Sequence, residues 1–294
     1  MKHLTGIKEL NFLSFLVIII GIVITMPIIF IVIESCQLNS SLLNFDNSLF
    51  KYFSNTSTLI LYTCFISSIL AIPSAWIITY YDLKFKKIID LFLVLPLAIP
   101  CYIMAFTYSD LLGFNGFLDV LLQNIFDIKI SFDVLNIEWL SFFLALSLYP
   151  YIYTTARISF SLTGNTYIEL AKSLGIDGLK RFYKIILPLS ISGIFSGMLL
   201  IIMEILNEYG AVNYFGINTF SVGVFKYWFS MGDKSSAILL SLILLIMVIL
   251  LVFLSSYIKK SNDKLKYHIK SSSLISISIK NIQVKILRYL ILLT

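Results

Sequence analysis

The sequence predicts an all-α, polytopic membrane protein with six transmembrane helices and the start of a seventh. Three observations carry this. Hydrophobic residues make up 59% of the 294-residue chain and charged residues only 13%, where a soluble domain carries about 25% charged residues. Apolar runs of the length a helix needs to cross hydrocarbon, about 20 residues, occur at 12–33, 56–80, 88–110, 139–160, 187–209 and 236–257. Lysine and arginine are distributed very unevenly among the connections between them.

The first run follows Lys2 and Lys8, as a signal peptide would. It is too long for a signal core and no small-residue cleavage site follows, so it reads as a retained helix. The connections then alternate. The N-terminal tail, the connection with Lys84, Lys86 and Lys87, the connection with Arg157, Lys172, Lys180, Arg181 and Lys184, and the tail after residue 257 hold 18 of the 22 basic residues. Lys51, Lys129, Lys226 and Lys234 are on the other side. Basic residues mark the cytoplasmic side, which places the N-terminus and residues 161–186 there. The net charge of +6 is thus a topology signal and not a nucleic-acid footprint.

All six prolines lie in or beside apolar runs. Each removes a backbone donor that lipid cannot replace, so kinked helices around a cavity are expected. Trp139, Tyr80, Tyr81, Tyr209 and Tyr257 fall at the ends of runs, where amphipathic rings favour the headgroup layer. Cys36, Cys64 and Cys101 form neither a disulfide framework nor a metal spacing. His3 and His268 sit in polar tails. There is no phosphate-binding G-x-x-x-x-G-K-[ST] loop and no H-E-x-x-H, so energy must come from a partner, and a membrane-embedded enzyme lacks a visible catalytic set. Asp110, Asp119, Asp127, Asp133 and Glu138 read as a solvated outer connection, with an acidic metal-collecting surface as the alternative.

Residues 168–190, IELAKSLGIDGLKRFYKIILPLS, interrupt this grease. Thr166 and Glu169 have capping-box spacing. Gly175 suits the left-handed residue that ends a helix. Asp177 can start a second short helix through Lys184, and Leu187-Pro188 opens the next span. Two short cytoplasmic helices with an apolar stripe fit either a partner's groove or the lipid surface. Further on, Glu204 and Glu208 lie four apart in the outer half of the fifth run with Asn207 beside them. On a continuous helix they share a face. Ionisable groups at that depth face a cavity or a partner, so they are a candidate solute path, or a helix–helix hydrogen-bonding pair.

The cytoplasmic segment resembles the EAA loop of ATP-binding-cassette importer permeases: Glu-Ala-Ala, three residues, Gly, nine residues, Ile, one residue, Leu-Pro. Glu169, Ala171, Gly175, Ile185, Leu187 and Pro188 stand at matching positions, and Leu170 replaces the middle alanine. The likeness covers roughly residues 55–257. Residues 95–113, 148–160 and 203–233 are similar to the ferric-iron group, with Tyr214-Phe215-Gly216 the most diagnostic piece; thiamine, polyamine, sulfate and phosphonate permeases share the loop. The resemblance implies the six-helix fold of type I importer permeases and import of ferric iron across the inner membrane by alternating access. It implies no cofactor on this chain, with ATP hydrolysed by a partner subunit whose cleft receives the loop. It also implies a solute-binding protein and a second permease half. A channel would not need this loop.

The expected organisation is an N-terminal helix and outer loop (1–55), the permease domain (56–257), a cytoplasmic linker (258–285) and the beginning of a transmembrane segment (286–294). Because ILRYLILLT is far shorter than a span, the chain is expected to be the N-terminal half of a fused permease. The alternative is a half that pairs with itself.

Overall fold

The computed structural model describes residues 12–37, 48–126, 133–162, 167, 169, 171, 173–176 and 178–266. Thr166, Leu170, Asp127 and Asp177, and the segments expected as a linker after residue 266 and a seventh span, lie outside the described residues. The described chain is helical throughout: α1 (Phe12–Gln37), α2 (Ser48–Tyr80), α3 (Lys86–Val94), α4 (Cys101–Leu112), α5 (Phe117–Phe126), α6 (Ile137–Leu162), α7 (Gly178–Asn207), α8 (Gly210–Tyr214), α9 (Phe220–Phe225) and α10 (Lys234–Lys266).

Four of these helices are long and apolar enough to cross a membrane, α1, α2, α7 and α10, and five if the bent pair α3–α4 counts as one. The six expected spans thus reduce to four or five by length and composition. The helix that drops out is α6. Its 26 residues have the length of a span, but Tyr149, Pro150, Tyr151, Tyr153, Thr154, Thr155 and Arg157 dilute its apolarity. It tolerates them because it sits at the centre: Leu140, Phe143, Leu144, Ile152, Tyr153 and Phe160 are completely buried against α2, α7 and α4.

The third expected span, 88–110, is not one helix. α3 passes into a 3-10 turn, Leu95–Ala98, before α4 begins after Pro100. The two arms meet at 94°. Proline lacks the N–H that would continue the ladder and clashes with the preceding turn, so Pro96 and Pro100 together break the helix where one proline in α2 or α6 leaves it whole.

α7 begins at Gly178, earlier than expected, so no separate second short helix precedes it. Phe182–Ile186 form a π turn in which the Leu187 N–H donates to the Phe182 carbonyl. Pro188 in an unbroken α-helix would leave the Lys184 carbonyl without its donor, and the wider turn redirects the ladder just ahead of it.

α6 and α7 approach backbone to backbone. A Cβ on Gly197 would stand 2.6 Å from the Ile152 Cα and 2.9 Å from the Tyr151 carbonyl oxygen. One on Gly193 would meet the Ser159 side chain and lie 2.9 Å from the Thr155 carbonyl oxygen. Gly193 and Gly197 are a G-x-x-x-G pair, the small-residue spacing that lets membrane helices pack closely without a hydrophobic driving force.

Tyr80 and Tyr81, expected at the headgroup layer, are buried instead. The Tyr80 hydroxyl donates to the Phe160 carbonyl at 2.8 Å, and Trp76 packs edge-on against Tyr81. Tyr257 is exposed. Outside the bundle, α1 packs along α10, and none of Ser14–Cys36 is buried.

α10 has a defined start. The Ser236 N–H donates to Asp233 Oδ1 at 3.2 Å and the Ser236 hydroxyl to Oδ2. These bonds hold the Asp233 carboxyl below its ordinary value. The cap is therefore complete above about pH 4, the ordinary carboxylate value, and is lost as pH falls through the lower value of the folded state. Asp233→Ala is expected to weaken the first turn by about 1 kcal/mol. Hydrogen exchange at Ser235 and Ser236, corrected for intrinsic rates, checks it: the wild type should lose protection in acid, and Asp233→Asn should keep most of it without that pH dependence.

Candidate functional site

Two regions carry the residues singled out by sequence, one on each side of the bundle. In the first, residues 167, 169, 171 and 173 are helical, with Glu169 exposed and Ala171 fully buried. Gly175 has φ +69°, and the Ile176 N–H donates to the Ala171 carbonyl at 2.8 Å. That six-to-one bond closing over a left-handed glycine is a Schellman stop. Leu174 is left exposed. Ile185 and Leu187 are half-buried and Pro188 is exposed.

What ties this segment to the bundle was not read from sequence. Phe182 is buried, with its ring 4.7 Å from Trp76 of α2 and 6.1 Å from Phe160 of α6. The signal was the aromatic pair Phe182-Tyr183 among the basic residues of 180–184, a stretch read only for its charge.

In the second region Glu204 and Glu208 do not share a helix face. α7 ends at Asn207, and Glu208 has extended backbone (φ −71°, ψ 116°). Its carboxylate turns to the next element, accepting from the Ala211 N–H at 2.8 Å and from the Cys101 thiol at 2.7 Å. Glu204 stays on α7, exposed, and accepts from the Tyr151 hydroxyl at 2.9 Å. The Asn207 amide donates to the Met203 carbonyl of its own helix. Each carboxylate is therefore oriented by a donor from another helix. Both donors directly follow prolines, Pro100 and Pro150. Neither Cys101 nor Tyr151 was singled out by sequence as a partner, because each pairing joins residues far apart in the chain.

The acidic outer connection does not act as one surface. Asp119 is buried, Glu138 is exposed at the start of α6, and Asp110 and Asp133 line a cleft with Ser109 and Tyr214. No group of three or more His, Cys, Asp or Glu side chains is arranged to hold a metal ion among the described residues. Glu204 and Glu208 therefore do not belong to a closed coordination shell among the described residues.

One further polar constellation lies within the bundle. Asp90 Oδ1 on α3 accepts from Tyr153 and Arg157 of α6, each at 2.6 Å. Sequence reasoning counted Arg157 with the cytoplasmic connection and passed over Asp90.

The fold is that of an all-α membrane protein, a bundle of apolar helices with one broken span. The chain belongs to the family described as binding-protein-dependent transport system inner membrane component, which matches residues 67–264. It is accordingly a multi-pass inner-membrane permease subunit, distinct from the ATPase subunit and without a cofactor of its own.

Among its relatives, the sulfate transport system permease protein CysT of Salmonella typhimurium is 31% identical over 138 residues, 47% of this chain and 48% of CysT. The Fe(3+)-transport system permease protein FbpB 2 of Haemophilus influenzae is 25% identical over 244 residues, 82% of this chain and 44% of that protein. The chain spans about half the length of these relatives. The molybdenum permease ModB of Haemophilus influenzae is 25% identical over 201 residues, 66% of this chain and 86% of ModB. The fold is similar to that of a chain in the bacterial alginate ABC transporter, solved in complex with an alginate pentasaccharide-bound periplasmic protein. The TM-score is 0.65 at 15% identity, over 87% of this chain and 94% of that one. It is also similar to a chain of the inward-facing MetNI methionine transporter, with a TM-score of 0.58 at 12% identity, over 76% and 99%.

Proposed function

We propose that this chain is the ferric-iron permease half of an ATP-binding-cassette importer. It would work with an ATP-hydrolysing subunit, a solute-binding protein and a second permease half, supplied by fusion, in trans or by self-pairing. The N-terminus and the helix of Glu169 lie in the cytoplasm, in keeping with the division of basic residues. The bundle crosses the membrane six times, with α6 as the central crossing and α3–α4 as one broken crossing. Glu169, Ala171, Gly175, Ile185, Leu187 and Pro188 form the loop that docks on the ATPase.

The observation that carries the choice of solute is the carboxylate pair at the outer end of α7. Glu204 and Glu208 put negative charge near the mouth, which concentrates cations and repels oxyanions. Ferric iron is the cargo, and hard oxygen donors suit it. Asn207 flanks the path. The similarity to CysT favours a second reading, sulfate or a related oxyanion.

Replacing both glutamates by glutamine separates the two. In proteoliposomes the double variant is expected to lose about tenfold or more in ferric uptake while solute-independent ATP hydrolysis persists. Unchanged ferric uptake kinetics would refute the cation path, and ATPase stimulation by sulfate with its binding protein would favour the oxyanion reading.

A further inference from the structure

We infer that Asp90 is a positioning residue for the transport cycle, a latch that ties the cytoplasmic arm of the broken span to the central helix. It parts when nucleotide drives the ATPase subunit.

The arm is α3, only nine residues long. Beyond it the 3-10 turn at Leu95–Ala98, bounded by Pro96 and Pro100, makes a joint bent by 94°. Turning about such a joint breaks no α-helical ladder, because the prolines have already removed it. Apart from Leu93, the arm is half-buried or exposed: Ile88, Leu91 and Phe92 face outward. Its side-chain polar ties are Lys86, whose Nζ donates to the Tyr81 carbonyl at 3.4 Å, and Asp90, where a single oxygen takes two short donors from α6, Tyr153 and Arg157. Those donors are four residues apart on one face of α6. The Asp90 and Arg157 side chains keep 21% and 40% of their exposure. The pair is thus reachable and able to part at far less cost than a fully desolvated one.

The latch also sits where a cytoplasmic push arrives. Arg157 is three residues from Phe160 on α6, and Phe160 takes the Phe182 ring of the segment leading out of the docking loop. Just past the joint, Cys101 is the first residue of α4 and donates to Glu208. A chain of neighbours therefore runs from the docking segment through Phe182, Phe160 and the latch, then across the joint to Glu208. We take the jointed arm as the element that both ends bias, which is what separates coupling from adjacency.

The test measures the arm directly and needs no solute, so its failure is distinct from failure of the ferric reading. Distance labels replace the exposed Phe92 and Ile158 in the assembled transporter, read without nucleotide and with ATP under non-hydrolysing conditions. In the wild type the arm-to-α6 distance is expected to change by roughly 2 Å or more on adding ATP, the scale of helix shifts in such transitions. Asp90→Asn should show the shifted distance without nucleotide, and the exchange Asp90→Arg with Arg157→Asp should restore the ATP dependence. Tyr153→Phe, which keeps the ion pair, should fall between and serves where a charge variant fails to assemble. A wild-type distance that ignores ATP, an Asp90→Asn arm that behaves as wild type, or a charge exchange that restores nothing would each overturn the latch.

Discussion

Gly197→Leu is expected to abolish accumulation of the protein in the membrane, because the α6–α7 contact has no room for a side chain. A Cβ at this position already lies 2.6 Å from the Ile152 Cα and 2.9 Å from the Tyr151 carbonyl oxygen, and both are backbone. Thr155 can rotate away, but main chain can yield only by moving the helix. Overpacking costs about 1–3 kcal/mol where side chains can adjust, and here they cannot. Even Gly197→Ala should lower the melting temperature measurably, with leucine far worse. Gly21→Leu is the control: nothing lies within 4 Å of a Cβ there, and level and melting should stay at wild type. A Gly197→Leu protein of normal abundance and melting temperature would show that the helices do not pack this closely.

Gly175→Val should give the opposite phenotype, normal membrane level with transport abolished. Nothing lies within 4 Å of a Cβ at Gly175 either, so space is not the issue. The backbone is. Its φ of +69° costs an L-residue roughly 1–2 kcal/mol, and more for a branched one. The strain falls on the turn that stops the helix of Glu169 and Ala171, so the helix would run on or end elsewhere and meet the ATPase at the wrong angle. Gly175→Asn, which tolerates the left-handed region, should retain much of the activity. Quantified membrane abundance beside ATP-driven uptake checks both; normal uptake by the valine variant would remove the loop from coupling.

These two glycines mark what could be read in the chain. Gly175 was legible because a helix stop is a local event: the left-handed residue and the helix it ends lie within a few positions. Gly197 was passed over because its requirement is set by Ile152, a residue 45 positions away that only packing brings near. The same division explains the rest. Long apolar runs gave α1, α2, α7 and α10, since crossing lipid is a matter of length and polarity. The rupture at Pro96 and Pro100 was expected only as a kink, because whether two prolines bend or break a helix depends on what receives the freed carbonyls. Glu204 and Glu208 were expected to share one helix face. Equal spacing implied one face, yet α7 stops between them, and their partners Cys101 and Tyr151 arrive from other helices. Arg157 was counted with a charged connection and Asp90 was passed over, so their pairing went unread.

The first helix has a different lesson. Packing against α10 leaves none of Ser14–Cys36 buried, and apolar residues surround it on every side, so no stripe tells it which way to turn. Swapping Ile, Leu, Val and Phe among its lipid-facing positions should be nearly silent, making this the part of the chain most free to drift in evolution. Its flanking charges are another matter. With little packing to correct it afterwards, such a helix takes its direction from the basic residues beside it, Lys2 and Lys8.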